Sequence, residues 1–488
     1  MVLCFICLGL ATETLQAQGF EEYRNQKLKD FADYRQRKLD EFEAYRRKKL
    51  LEFADYVARG WQPFQSEAKK VKVPEPKPVE PPVAPKEEPL PIRPIAIPQG
   101  KTMPLVVPRM EPKLKLPEIP EPKPQEDSRK TMSFFGTEVK VTLPASLRVT
   151  MRGHSETEVS RVLRMLAGDD AAALVRDVVS IYQTMNLNGW AAVQLCGQVA
   201  ERMEGNGDAA TVLQAYLLTT LGYDARLCES GGQLLVMAPM AGEPLLARAK
   251  IKGTFYYLLN DRSGRGGTLK TYTKNISEAT RRIDFTDATK IRFSQQVTAP
   301  RTVIAVNYPS ASATVQVNKN LIDFYATMPI MGQYPWTFYA RQEMEPRMRQ
   351  ALLPPLKKAT QGKSEVEAVS ILMNFMHFGF KYDTDEKQFG YEKPFFFEEN
   401  FYYPRNDCED RGILFSYLVR QVLGMDAVLL YLPGHIWTAV RFSTPVGGDY
   451  VTVKGHRYTV CDPTYMGASI GMTQPPYRGK QPTVFTID

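Results

Sequence analysis

The sequence predicts an α+β protein with two tandem globular units, preceded by a long helix and a proline-rich disordered linker. Three observations predict this order: an 11-residue repeat in residues 18–61, a proline-rich stretch in residues 62–130, and mixed strand-like and helix-like patterns from residue 131 onwards. A chain of 488 residues, 43% of them hydrophobic, is long enough for about two to four domains with packed cores.

The charge balance argues against nucleic acid as a partner. The net charge of +8 comes from 62 basic and 54 acidic residues, and the short runs of lysine and arginine are diluted by acids. A nucleic-acid interface needs basic residues clustered on one face. We therefore expect no nucleic-acid partner.

Residues 1–17 are predicted to be a signal peptide. An apolar stretch from Val2 to Leu10 leads to a small-residue cleavage site after Ala17. The stretch is shorter than the roughly 20 apolar residues of a transmembrane helix. No lysine or arginine precedes it, so a weak signal or a start further upstream is the alternative. We expect an exported protein, periplasmic or associated with the cell envelope.

The helical segment, residues 18–61, carries three columns of apolar side chains that recur every 11 residues. They are Phe20, Phe31, Phe42 and Phe53; Tyr23, Tyr34, Tyr45 and Tyr56; and Leu28, Leu39 and Leu50. At 100° per residue all three columns fall on one helical face. This face predicts either self-association or docking on an envelope partner, and the alternative is a spacer helix stabilised by ion pairs.

The linker, residues 62–130, is rich in proline, glutamate, lysine and valine (KVPEPKPVEPPVAPKEEPLPIRPIAIP). Such a composition cannot bury a core and favours an extended polyproline II conformation of about 3.1 Å per residue. It predicts a disordered spacer without helix or strand. In composition alone it is similar to the periplasm-spanning linkers of energy-transducing envelope proteins.

Four cysteines follow the predicted signal peptide: Cys196, Cys228, Cys408 and Cys461. Their irregular spacing does not indicate a disulfide framework. The four histidines do not pair with cysteines at the spacing of zinc ligands. We expect neither a metal site nor a cofactor.

The chemistry is concentrated in the stretch NDCEDRGILFSYLVRQVLGMDAVLLYLPGHIWTAVRF and in the later RYTVCDPTYMG. Cys408 precedes an apolar helix, whose N-terminus stabilises a thiolate. His435 opens a strand after Pro433-Gly434, and Asp462 ends another strand. Adjacent antiparallel strands would bring Asp462 beside His435, which predicts a nucleophile, a base and an orienting acid.

These motifs in this order resemble the transglutaminase-like superfamily of cysteine hydrolases and acyltransferases, over about residues 366–471. The resemblance implies a papain-like α+β core in a catalytic domain spanning residues 291–488. It also implies Cys408 as the nucleophile, His435 as general base and acid, and Asp462 as the residue that orients His435. The reaction would be attack on an amide or ester carbonyl through an acyl-enzyme.

Other histidines, cysteines, acids and aromatic residues near these motifs are expected to have mainly structural roles. His377 and His456 are rival bases, but neither lies in a matching motif. Cys461 faces away from Asp462 by strand alternation and is expected in the core. The acids flanking Cys408 raise the pKa of the thiol and are expected to cap the helix and pair with Arg411. The aromatic residues 388–403 either line a substrate groove or pack on the core.

Residues 131–290 are predicted to be a degenerate, inactive copy of the same fold. LLTTLGYDARL aligns with LVRQVLGMDAVLL, which places Gly222 against Gly424 with an offset of 424 − 222 = 202. The same offset places Asn206, Gln233 and Asn260 against Cys408, His435 and Asp462. Neutral amides supply neither a nucleophile nor a base. The alternative is a coincidental α/β pattern.

The function expected from the sequence is that of an exported thiol-dependent enzyme acting on a peptide or protein substrate. A non-catalytic envelope scaffold with a vestigial triad is the alternative. A cross-linking enzyme that transfers the acyl group to an amine is a third possibility.

Overall fold

The computed structural model describes residues 44–68, 83–84, 92–98, 102–103, 129–260, 266–332 and 334–487, and scattered positions between residues 26 and 41. The predicted signal peptide, most of the repeat before residue 44 and most of the proline-rich stretch lie outside the described residues. Within the described part, no helix is both long and apolar enough to cross a membrane.

The fold mixes helices and strands, as predicted. The first part comprises helices α1 (44–57), α2 (Glu156–Leu166), α3 (Asp170–Thr184), α4 (Gly189–Glu204) and α5 (Asp208–Thr220), and strands β1 (Trp61–Glu67), β2 (Arg93–Pro94), β3 (Thr102–Met103), β4 (Arg129–Phe134), β5 (Thr137–Thr142), β6 (Arg226–Ser230), β7 (Gln233–Ala238), β8 (Arg248–Ile251), β9 (Thr254–Leu258) and β10 (Gly267–Tyr272).

The second part comprises strands β11 (Arg301–Ala305), β12 (Tyr308–Val315), β13 (Lys381–Tyr382), β14 (Arg405–Asn406), β15 (Ala427–Leu432), β16 (His435–Val440), β17 (Asp449–Val453), β18 (His456–Cys461) and β19 (Thr483–Thr486), and helices α6 (Lys319–Tyr325), α7 (Trp336–Ala340), α8 (Pro346–Thr360), α9 (Glu365–Gly379), α10 (Asp385–Phe389), α11 (Glu399–Tyr402) and α12 (Cys408–Leu418). A π-turn, Val419–Leu423, extends α12.

The two main sheets share one strand order. The first is a closed barrel in the order β1-β10-β6-β7-β9-β8, and the second is a seven-stranded sheet in the order β2-β17-β18-β16-β15-β19-β3. Without β1, β2 and β3, the order β10-β6-β7-β9-β8 corresponds strand by strand to β19-β15-β16-β18-β17. The core strands of both sheets therefore follow the same antiparallel path.

The strand registers also correspond, at the offset of 202 found in the sequence. Met237 pairs with Leu258 in the first sheet, and Ala439 pairs with Val460 in the second. The hairpin pair Ser230 and Gln233 has its counterpart in Leu432 and His435. Because a slip of one residue would turn every side chain to the other face, matched registers preserve the same buried positions.

The last strand departs from this offset. Thr271 of β10 pairs with Cys228, whereas Val484 of β19 pairs with Leu430. Here the offset is 484 − 271 = 213, so the second unit has 213 − 202 = 11 extra residues before its last strand. The extra length falls in the stretch after Asp462.

The prediction that residues 62–130 contain no strand is wrong for the residues that the structure describes. β1 pairs with β10 and β8 and closes the first barrel. β2 pairs with β17, and β3 pairs with β19, at the two edges of the second sheet. Open sheet edges present unpaired N–H and C=O groups, so pairing partners distant in sequence outweigh the local proline-rich composition.

The end of the 11-residue repeat packs within the molecule. Leu50, Phe53 and Val57 of α1 are buried in the same hydrophobic core as residues from both units. The hydroxyl of Ser160 donates to the Ala54 carbonyl at 2.8 Å. The apolar stripe is therefore covered intramolecularly at its C-terminal end, while Tyr45 remains exposed.

Candidate functional site

Cys408 is the first residue of α12, and every residue of this helix is buried. The backbone N–H of the preceding residue, Asp407, donates to the Asp410 side chain at 3.4 Å. A Cβ at Gly412 would lie 3.5 Å from Ile436 and 3.6 Å from Leu429, which is ordinary van der Waals contact, so the helix packs on the second sheet with room there for little more than a methyl group.

His435 begins β16, and its Nε2 atom lies 2.9 Å from Oδ2 of Asp462. The imidazole stacks on Trp437 with ring centroids 5.2 Å apart and on Tyr477 at 5.1 Å. The Tyr477 hydroxyl donates to the Gly434 carbonyl at 3.0 Å, which ties this ring to the turn before β16. These contacts hold the ring of His435 in one orientation.

Asp462 is almost fully buried and accepts several hydrogen bonds. Its Oδ1 atom receives the N–H groups of Thr464 at 2.9 Å and Tyr465 at 3.2 Å, and its Oδ2 atom receives the Gln474 amide at 2.9 Å. Burial alone would raise the pKa of Asp462, but His435 and these donors hold it below its usual value. The carboxylate is therefore kept ionised beside the imidazole.

Gln474 is a member of the site that the sequence patterns did not single out. Its amide nitrogen lies 2.9 Å from Nε2 of His435 as well as 2.9 Å from Asp462. It belongs to the stretch that has no counterpart of equal length in the first unit. No periodicity or motif marks this position, and only the insertion itself could have drawn attention to it.

The thiol of Cys408 is placed next to β16, but its hydrogen bond does not go to His435. It donates to Oε2 of Glu409 at 3.2 Å. The backbone N–H of Ile436, the residue after His435, donates to the sulfur. The structure thus joins His435 to Asp462 directly, and brings Cys408 to the neighbouring residue of the same strand.

The pKa of Cys408 is raised well above that of a free thiol. The largest cause is burial, followed by the negative charges of Glu409 and Asp407, while the Ile436 N–H acts in the opposite direction. In this arrangement the thiol is protonated at neutral pH. Ionisation therefore requires a base, and the Nδ1 atom of His435 is the ring nitrogen that Asp462 leaves free.

Carboxylates, all of them buried except the partly buried Glu392, cluster near Cys408. The ligand atoms of Asp385, Glu392 and Glu409 lie within 4.8 Å of one another, as do those of Asp385, Asp407 and Asp410. Clustered carboxylate oxygens are the ligands that Ca²⁺ and Mg²⁺ prefer, so these are the described residues that could hold a metal ion. Burial and the charge of Asp407 raise the pKa of Asp385 to about 9.

The predicted pairing of Arg411 with the neighbouring acids is wrong in its hydrogen bonds. The buried guanidinium donates to Oδ1 of Asn406 at 3.0 Å and to the Phe380 carbonyl at 2.9 Å. Arg411 thus holds β14 and the end of α9 against α12. The acids instead accept backbone N–H groups, for example that of Phe395 at 2.8 Å from Oδ1 of Asp410.

The two rival histidines differ in their surroundings. His377 is buried, and its Nε2 atom lies 2.9 Å from the backbone carbonyl of Asp462. Burial lowers the pKa of His377. His456 is exposed at the start of β18. Cys461 is buried and carries a free thiol, which agrees with its predicted place in the core.

The residues aligned with the triad in the first unit do not form a similar buried centre. Asn206, Gln233 and Asn260 are exposed. At the position after Gln233, the Leu234 N–H donates to Oδ1 of Asp208 at 3.0 Å, and Asp208 is the first residue of α5. Asp208 therefore corresponds in position to Cys408, because each accepts the N–H of the residue that follows the aligned Gln233 or His435. Asp208 lies two residues after Asn206, so the expected match of Cys408 with Asn206 is displaced by two residues.

Comparison with known proteins gives no match: no family model, no curated protein and no solved structure corresponds to this chain.

Proposed function

We propose that residues 291–488 form a transglutaminase-like thiol enzyme with a papain-like core, in which Cys408, His435 and Asp462 are the catalytic residues. The Cys408 sulfur attacks an amide or ester carbonyl, and His435 accepts the thiol proton. His435 then returns this proton to the leaving amine or alcohol, which leaves an acyl-enzyme. Water, or a second amine, attacks the thioester and releases the thiol.

The observation that carries this proposal is the buried 2.9 Å contact between His435 and Asp462 at the strand that touches Cys408. A carboxylate hydrogen-bonded to one imidazole nitrogen selects the tautomer whose other nitrogen can accept a proton. Gln474 supports this role by donating to Asp462. The backbone N–H of Cys408, at the start of α12, is our candidate oxyanion donor.

We further propose that residues 131–290 are a second, inactive copy of this fold. The shared strand order and the matched registers of the two sheets support it. The shared helix, which begins at Asp208 in one unit and at Cys408 in the other, supports it as well. A carboxylate in place of the thiol, and Gln233 in place of the base, leave the first unit without thiol chemistry.

The proposed setting is an exported, envelope-associated protein that acts on a peptide or protein. The helical repeat, residues 18–61, would join it to another copy or to an envelope partner. Leu50 and Phe53 are already buried within the molecule, so these two side chains are not candidates for this contact.

A thiol-directed electrophilic probe tests the enzymatic proposal. We expect labelling at Cys408, located by peptide mass spectrometry, and a loss of at least tenfold in its rate in His435→Ala. Cys461→Ala is the matched control, because that thiol is buried elsewhere in the core and its loss should not change labelling at Cys408. Equal labelling rates in the parent and in His435→Ala would rule out His435 as the base. Product analysis with and without a primary amine distinguishes hydrolysis from cross-linking.

A non-catalytic scaffold with a vestigial triad is the second candidate, and one observation favours it. The thiol donates to Glu409 instead of His435, and burial together with the neighbouring acids raises its pKa. For a scaffold, we expect labelling at Cys408 to follow the pH dependence of a simple buried thiol, with no contribution from His435. The probe experiment therefore separates the two functions.

A further inference from the structure

Part of the proline-rich stretch lies against the second sheet. Arg93–Pro94 runs parallel to β17 at one edge, and Thr102–Met103 runs parallel to β19 at the other. Ala84 donates its N–H to the carbonyl of Met466 at 2.9 Å. The described pieces of this stretch therefore contact both edges of the sheet and the loop after Asp462.

Between the edge pairings, Ile95 and Ile97 pack on an apolar face of the sheet. The residues of this face include Trp437 and Tyr477. These are the two rings that stack on His435. The isoleucines thus pack on the same apolar cluster that contains the two rings supporting the proposed base.

Polar contacts align the same segment along β17. Arg93 donates its backbone N–H to the Gly448 carbonyl at 3.1 Å, and Ile95 donates to the Tyr450 carbonyl at 2.6 Å. The guanidinium of Arg93 lies 3.1 Å from Oδ1 of Asp449, whose side chain is only 7% exposed. This combination of main-chain pairing and side-chain contacts is the way extended peptides add to the edge of a sheet.

The corresponding edges of the first sheet are closed much more firmly. There β1 pairs with β10 over six residues and with β8 over two. In the second sheet, β17 and β2 pair over two residues, and so do β19 and β3. Because fewer main-chain hydrogen bonds hold them, the pairings of Arg93–Pro94 and Thr102–Met103 are the more easily exchanged.

We propose that the edge of β17, together with the Trp437–Tyr477 face, is a docking surface for an extended peptide. The fitting peptide has isoleucines at alternate positions, a basic residue two positions before the first of them, and flanking prolines. Residues 92–98 of this chain, IRPIAIP, are its resident occupant, and a partner segment of the same chemistry binds by replacing them. This inference concerns binding alone and does not depend on the thiol chemistry.

The test measures binding of a fluorescent peptide, PIRPIAIP, which copies residues 91–98, to the full-length chain carrying Cys408→Ala. In one variant, Ile95→Asp with Ile97→Asp releases the resident segment. The matched control is Ile92→Asp, because Ile92 is 60% exposed and belongs to the same segment. We expect the peptide to bind the released variant at least tenfold more tightly than it binds the parent or the control.

A variant peptide and a second chain variant extend the test. A peptide with aspartate at the positions of Ile95 and Ile97, both partly buried in the chain, should lose at least tenfold in affinity for the released variant. If the double variant does not fold, Arg93→Glu replaces it, because it turns the attraction to Asp449 into repulsion at a half-exposed position. Equal affinity for parent, control and released chains, absence of binding, or binding that ignores the peptide isoleucines would each overturn the proposal.

Discussion

Replacing Asp462 by asparagine removes one buried charge and little volume, so it isolates the electrostatic part of the proposed triad. Oδ1 of asparagine can still accept the Thr464 and Tyr465 N–H groups. Its amide nitrogen, however, would face Nε2 of His435, which now has to accept a hydrogen bond. The proton then moves to Nδ1, and the imidazole can no longer take the proton of the Cys408 thiol.

The size of the effect follows from the contact that is lost. A hydrogen bond to a charged group contributes about 1.5–3 kcal/mol, and each 1.36 kcal/mol corresponds to a factor of ten. We therefore expect the rate of alkylation of Cys408 at pH 8 to fall by about 10-fold to 150-fold in Asp462→Asn. The assay is iodoacetamide labelling followed by peptide mass spectrometry, with the buried thiol of Cys461 as an internal reference.

The pH dependence gives an independent check. The pKa of Asp462 is lowered in the folded protein, so its contribution to stability is fully present above the pKa of the unfolded carboxyl, about 3.9. It is lost as the pH falls through the lower folded value. The parent should therefore exceed Asp462→Asn in free energy of unfolding at pH 7, and the difference should shrink towards pH 3. An unchanged alkylation rate together with a constant stability difference would refute the role given to Asp462.

Three other changes have expected outcomes. Gly412→Leu should lower the free energy of unfolding by about 1–3 kcal/mol in urea denaturation, whereas Gly412→Ala should be tolerated because its Cβ makes an ordinary contact 3.5 Å from Ile436. Asp385→Asn, measured in EDTA, should raise the free energy of unfolding at pH 8 but not at pH 4. The folded pKa of Asp385 is about 9, so the parent loses stability as the pH rises from about 4 to 9. Equal free energies of unfolding for parent and variant at both pH values would contradict this. Gln474→Ala should slow alkylation of Cys408 less than Asp462→Asn does, and a larger effect would mean that Gln474 takes part directly.

The helix and strands that carry Cys408, His435 and Asp462 could be read from the sequence because their signals are local. The thiol precedes an uninterrupted apolar helix, and the strands have clear boundaries at glycine and proline. The two sheets could be compared for the same reason, since the offset of 202 holds from Arg226, which corresponds to Val428, to Leu258, which corresponds to Val460. The constant offset could not show that the two helices begin two residues out of step, at Asp208 and at Cys408. The second unit contains the π-turn Val419–Leu423 between its helix start and Gly424, the glycine aligned with Gly222.

Other features depend on contacts between residues distant in sequence. The edge strands β2 and β3 have two residues each and are too short for any periodicity, and they form because the second sheet offers them unpaired partners. Gln474 and Tyr477 reach His435 from an insertion that has no local pattern. The hydrogen bond from the Cys408 thiol to Glu409 is likewise a feature of the folded site that no sequence pattern indicates.

The most direct measurement of the central proposal is acid-quenched intact mass spectrometry of the protein after brief exposure to a p-nitrophenyl ester. If Cys408 is a nucleophile served by His435 and Asp462, the parent carries one acyl group, located on Cys408. This group is absent from Cys408→Ala and is formed at least tenfold more slowly in His435→Ala. Acylation of Cys408 at the same rate in the parent and in His435→Ala, or no acylation of the parent, would contradict the proposal that residues 291–488 form a thiol enzyme.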